Sequence, residues 1–157
     1  VGHKLQSRCS NIFHFCFDTP LLNDVSHFLW SWDINDPIFR LTLYDNFRPS
    51  ISPNRHLLTV ECLSNIDDAD ELTANKVQQS LVEMGVVSKS AKCISQTEQR
   101  LKNTFPVPDL NFKNASERNY SDLKEAFCNM SISGRYSGKV WAQSAVLHDT
   151  FQQISAL

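Results

Sequence analysis

Two stretches of this chain alternate apolar and polar side chains with a period of two, and that alternation limits the fold more than any other feature. Phe39, Leu41 and Leu43 interleave with Arg40, Thr42 and Tyr44, and Leu58, Val60 and Cys62 share one side of residues 56–62. Successive side chains of an extended chain point to opposite faces, so this pattern describes strands with one face covered and one toward water. Residues 12–17 (IFHFCF) are a short apolar, aromatic-rich run closed by Asp18-Thr19-Pro20, which reads as a buried strand and a turn. Residues 28–32 read as another short strand before a polar turn at Asp33, Asn35, Asp36 and Pro37. Pro49 and Pro53 make residues 46–54 a loop. Residues 93–99 give a weaker strand. Residues 105–108 (FPVP) read as extended, because each proline fixes φ and bars the helical region to its predecessor.

Elsewhere the period lengthens to that of a helix. Asp68 and Glu71 have the spacing of a capping box, in which each side chain satisfies a free amide of the first turn. Leu72, Val77, Leu81 and Met84 then fall on one face, and Gly85 supplies a left-handed stop. Residues 111–119 are polar and read as a loop, with a short helix over 122–127. Near the C-terminus Val140, Ser144, Leu147, Phe151 and Ile154 recur at spacings of four, three, four and three, one apolar stripe of a second main helix. Leu81 and Phe151 are expected to point inward. Several strands, two main helices and no regular βαβ alternation predict an α+β domain over residues 1–157, a mixed or antiparallel sheet with helices packed on it. A chain of 157 residues buries about 70% of the surface its unfolded form exposes and needs no staple to fold.

Charge and cysteine usage narrow the function. The net charge of −2, with Lys and Arg scattered, offers no broad attraction to nucleic acid or acidic lipid. No apolar run reaches the ~20 residues of a membrane span. The five cysteines, Cys9, Cys16, Cys62, Cys93 and Cys128, are odd in number and lack CxxC spacing, which argues against a zinc site and a complete disulfide framework. Reduced thiols and the lack of a secretory pattern predict a cytoplasmic protein, and Asn114, Asn119 and Asn129 in Asn-x-Ser matches are read as unmodified. A start at Val1 without Met suggests a processed, tagged or excised chain. The histidines show no metal-ligand spacing, and His14 reads as a packed strand residue. Asp67, Asp68, Asp70 and Glu71 read as helix-start charges. Trp30, Trp32, Phe39 and Tyr44 form a group that either lines a ligand wall or fills the core.

One stretch invites a ligand. Gly134 and Gly138, two of only four glycines, flank Arg135 just before the last helix. Glycine lets a backbone approach a ligand, a helix start offers free amides to an anion, and Arg135 adds a fork of donors suited to phosphate; the stretch by itself reads equally as an ordinary strand–turn–helix junction with Arg135 in solvent.

The order of these features resembles the C-terminal half of flavin-dependent oxidoreductases related to amine oxidases, protoporphyrinogen oxidase and UDP-galactopyranose mutase. The likeness is carried by Asp36-Pro37-Ile38-Phe39-Arg40, Asn46-Phe47, Pro53 and Leu58-Thr59-Val60-Glu61. It continues in Phe105-Pro106-Val107-Pro108 and in the turn Gly134-Arg135-Tyr136-Ser137-Gly138, which has one residue more before its second glycine. The resemblance covers residues 12–157 and implies that Gly134, Arg135, Gly138 and Trp141 lie against FAD, while the preceding sheet, with Trp32, Phe39 and Tyr44, forms a wall of the pocket for a small-molecule substrate. It names no catalytic residue. The glycine fingerprint of a dinucleotide-binding half is missing, so this stretch alone is not expected to hold FAD. The chain therefore reads as the substrate-side domain of an FAD-dependent oxidoreductase or mutase. The alternative is a non-catalytic binding or protein-interaction module that keeps the sheet without the cofactor half.

Overall fold

The alternating stretches are strands, and their partners decide which face is covered. The computed structural model describes residues 6–33, 36–47, 52–65, 72–134 and 142–155. The chain divides into two compact units, Ser7–Pro106 and Val107–Leu157 with Val1–Gln6.

In the first unit, strands β1 (Gln6–Phe17), β2 (Phe28–Trp30), β3 (Ile38–Leu43), β4 (His56–Ser64) and β5 (Cys93–Val107) form one sheet in the order β2-β3-β4-β1-β5. The pairs β2–β3, β3–β4 and β4–β1 are antiparallel. Asp18 meets Lys92 at one end of β1 and Ser7 meets Asn103 at the other, so β5 also runs against β1. Phe13 faces Val60, Phe15 faces Leu58, and Leu41 and Leu43 face the same two residues from β3. These side chains make the core with Phe17 and Ile38. The α+β class expected from the pattern is the class observed.

The register holds one surprise. Ile38 pairs with Cys62 and Arg40 with Glu61, so Phe39 is an extra residue in a β-bulge. Ile38 therefore joins Leu41 and Leu43 in the core, where simple alternation had put Phe39.

Helix α1 (Ala74–Glu83) covers the apolar face. It starts later than the spacing of Asp68 and Glu71 implies, and those two residues lie outside the described ones. Thr73 is the cap: it is extended, and its hydroxyl accepts from the Lys76 amide at 3.4 Å. Val77 and Leu81 are wholly buried, Leu72 packs at the margin, and Met84 is exposed. Gly85 takes φ +71, and the chain then turns so that the amides of Val86 and Val87 bond the Leu81 carbonyl. That turn drops both valines into the core.

The second unit contains α2 (Phe112–Ala126) and α3 (Gln143–Ser155). The segment 111–119, polar enough to read as a loop, is the first half of α2. The Phe112 amide bonds the Asp109 carbonyl, and the half-buried residues Phe112, Ala115, Ser116 and Tyr120 recur at helical spacing. In α3 the expected inward stripe is the exposed one. Phe151 is 70% exposed and Leu147 and Ile154 are nearly as open, while Ala145, Val146 and Asp149 are half-covered. Periodicity shows that a helix has an apolar side but not which side a neighbour covers.

Candidate functional site

With α1 on one face of the sheet, the residues of opposite parity are left on the other. Leu29 faces Leu41 on the covered side, so Trp30 and Phe28 belong to the open side. Trp30, Arg40, Glu61 and Ile12 form one row across four strands. Phe28, Thr42, Thr59 and His14 form the next, about 7 Å along.

The first row joins charge to an aromatic surface. Arg40 Nε donates to Glu61 Oε1 at 3.0 Å, and Nη2 bonds the same oxygen. The Trp30 ring lies with its centroid 5.4 Å from the Arg40 guanidinium carbon, a cation–π arrangement. Trp32, 86% exposed, stacks on Trp30 with centroids 6.3 Å apart. Phe39 meets Trp30 edge-on at 4.9 Å and Phe105 at 5.7 Å. The bulge is what frees Phe39 for these contacts.

The second row carries a hydrogen-bond chain. Thr59 Oγ1 donates to Tyr44 Oη at 3.1 Å, and His14 Nδ1 lies 2.8 Å from Thr59 Oγ1. Thr59 is buried, whereas His14 and Tyr44 are exposed. His14 is thus a residue of the open face and not a packed one: Phe13 and Phe15 beside it take the core side.

Of the expected wall residues, Trp32 and Phe39 both touch Trp30, while Tyr44 belongs to the separate chain through Thr59. Gly134, in the second unit, has φ +86 and open space where a side chain would begin, so its turn requires glycine and leaves the backbone approachable. Arg135, Gly138 and Trp141 lie outside the described residues.

Other chemistry is muted. Cys9, Cys16 and Cys62 are buried and free. Burial, then the charges of Asp36 and Glu61, pushes the Cys62 thiol up to about 12, which keeps it protonated and a poor nucleophile. His56 is buried at the start of β4, with Nδ1 on the Asp45 carboxylate and Nε2 3.1 Å from the Pro53 carbonyl, and so anchors the β3–β4 connection. Clefts of about 520 and 330 Å³ open on α1, and none of the expected site residues lines them. Among the described residues no group of three His, Cys, Asp or Glu could hold a metal, and no helix is long and apolar enough to cross a membrane.

Arg40–Glu61 and His14–Thr59 are the pairs that sequence reasoning did not assemble. Their types were visible at alternate positions, but they meet only through the strand register, 21 and 45 residues apart.

No family model matches the sequence, and no curated protein matches it significantly. Solved structures do resemble it. A reduced UDP-galactopyranose mutase matches over 85% of this chain with a TM-score of 0.71 at 13% identity. A candidate protoporphyrinogen oxidase of Exiguobacterium sp. 255-15 matches over 85% with a TM-score of 0.58 at 12% identity. At such identities the likeness establishes the fold. The chain spans 29% and 31% of the two proteins' lengths.

Proposed function

We propose that this chain is the substrate-side part of an FAD-dependent oxidoreductase or mutase, and that the open face of its sheet is a wall of the substrate pocket. The observation that carries the reading is the fold, shared over 85% of the chain with a UDP-galactopyranose mutase. The composition of the open face supports it. A sheet face with no ligand to meet has no need of a stacked tryptophan pair over an ion pair, beside an exposed histidine and tyrosine joined through a buried threonine.

In this reading FAD supplies the redox chemistry, and the chain's own residues shape and orient. Trp30, Trp32 and Phe39 give the substrate an apolar surface. Arg40 and Glu61 add charge at fixed positions, and Tyr44 adds a polar contact. The turn at Gly134, with Arg135, Gly138 and Trp141, lies toward the flavin, where the backbone approaches closely and Arg135 donates to an anionic oxygen.

The test uses two proteins, the 157-residue chain and the product of the complete reading frame that encodes it. Flavin absorbance should survive gel filtration with the complete product and not with this chain. Arg135→Ala should weaken flavin retention in the complete product by about 1–3 kcal/mol, the range for a lost charge-assisted hydrogen bond. It should leave the melting temperature of the 157-residue chain nearly unchanged. A complete product that purifies without flavin and binds none when titrated with FAD overturns the proposal.

A further inference from the structure

We propose that Tyr44, Thr59 and His14 form a hydrogen-bond chain of fixed direction that receives a hydroxyl group of a ligand on the open face. A threonine hydroxyl owns one proton. Thr59 donates that proton to Tyr44 Oη at 3.1 Å, so toward His14, at 2.8 Å, Thr59 Oγ1 can only accept. The bond then requires the proton on His14 Nδ1. In the neutral ring, Nε2 is left with its lone pair. Tyr44 accepts from Thr59 and keeps its own O–H to donate.

The two ends of the chain therefore differ in kind: an acceptor nitrogen at His14 and a donor hydroxyl at Tyr44, both on exposed residues. Thr59, only 5% exposed and held between strands β3 and β1, keeps the two ends in register. A ligand hydroxyl gives a proton and takes one, and so satisfies both ends. A carboxylate has no proton for Nε2, and an ether has none either. The chain selects for hydroxyl over both. This inference rests on the open face being a ligand wall, and it adds the group that the wall recognises.

Long-range ¹H–¹⁵N correlation on the labelled 157-residue chain at about pH 8.5, where imidazoles are neutral, reads the tautomer directly. His14 should carry its proton on Nδ1, against the usual preference of a free imidazole for Nε2. Tyr44→Phe removes the acceptor of the Thr59 proton and frees that proton for Nδ1, so the ring should shift toward the Nε2–H form. Thr59→Ser should keep the Nδ1–H form, and Thr59→Val should lose it. An Nε2–H tautomer in the unmodified chain, or one unmoved by both Tyr44→Phe and Thr59→Val, overturns the chain.

Ethylene glycol and 1,2-dimethoxyethane then probe the ligand group. The glycol should move the His14 Nε2 resonance at least threefold more than the diether, and Tyr44→Phe should cut that effect at least threefold. Equal effects of the two solutes overturn the hydroxyl preference. Failure here with flavin retained by the complete product sinks the chain alone. An Nδ1–H tautomer in a product that holds no flavin sinks the proposed function instead.

Discussion

The two faces of the five-stranded sheet are built from the same strands and differ in nearly every physical respect. Under α1 the face is a close-packed set of Phe13, Phe15, Phe17, Leu41, Leu43, Leu58 and Val60, closed by Val77 and Leu81. The other face exposes Trp30, His14 and Tyr44 and holds the polar chain through Thr59 and the Arg40–Glu61 pair. The covered face removes apolar surface from water, at about 25 cal/mol per Å², and is where stability resides. The open face leaves the apolar rings of Trp30 and Trp32 in water beside charged and polar side chains, and so adds less to stability. Because stability resides on the covered face, a change on the open face need not disturb the core.

The largest effects should come from the covered face. Phe15→Ala should cost about 3–5 kcal/mol and Leu81→Ala about 2–5 kcal/mol in urea unfolding, since both rings and branches are fully enclosed and leave cavities. A loss under about 1 kcal/mol at both would mean that α1 does not seal this face.

The contrast between α1 and α3 explains how much of this was legible in the sequence. The alternation in residues 39–43 and 56–62 and the run 12–17 were enough to locate three core strands, because burial on one face imposes a period that needs no partner to be seen. Leu81 and Phe151 both lie on apolar stripes, yet Leu81 is enclosed and Phe151 is open. Only the packing of another element separates them, and that is a long-range fact. The same limit hid the bulge at Phe39, which exists because β3 pairs with β4 in a particular register. It also hid the meetings of His14 with Thr59 and of Arg40 with Glu61. The first half of the helix at 112–126 was missed for a local reason: its asparagines and serines compete for backbone hydrogen bonds and favour turns in general, while Phe112, Ala115 and Tyr120 supply the helical spacing.

A smaller effect should appear in alkali, again on the covered face. Cys62 holds its proton up to about 12 when folded, against an ordinary value near 9. The folded pKa is the raised one, so the contribution is complete below about pH 9 and is lost progressively as pH rises toward 12, because the unfolded chain releases the proton first. Unfolding free energy should therefore fall by about 1.4 kcal/mol per pH unit above 9 from this thiol, or about 2 kcal/mol by pH 10.5. Cys62→Ala should remove that part of the slope while lowering stability at neutral pH. An identical slope in the variant would mean that the thiol is not enclosed as the covered face requires.

The smallest effect should belong to Arg40 and Glu61. Their side chains are partly exposed, and an ion pair in contact with water contributes about 0–1 kcal/mol, because what Coulomb attraction provides is largely offset by screening and by side-chain entropy. The Trp30 ring adds a cation–π contact of about 0.5–1 kcal/mol at such a site. A double-mutant cycle of Arg40→Ala and Glu61→Ala should thus give a coupling energy below about 1 kcal/mol at low salt, falling further as salt is added. The two residues sit at paired positions of β3 and β4 beside the bulge, where a structural role would be to hold the register after Phe39. If they did so, the cycle would return a coupling above about 2 kcal/mol, and Phe39 would lose its contact with Trp30 when either residue was replaced. Near-ultraviolet or fluorescence readout of Trp30 cannot isolate that contact, since Trp32 stacks on the same ring, so the ring protons of Phe39 are the signal to follow. A weak coupling with an unmoved Phe39 leaves the open face free to vary its charges without cost to the fold, which is what a surface shaped for a ligand needs and a surface shaped for stability does not.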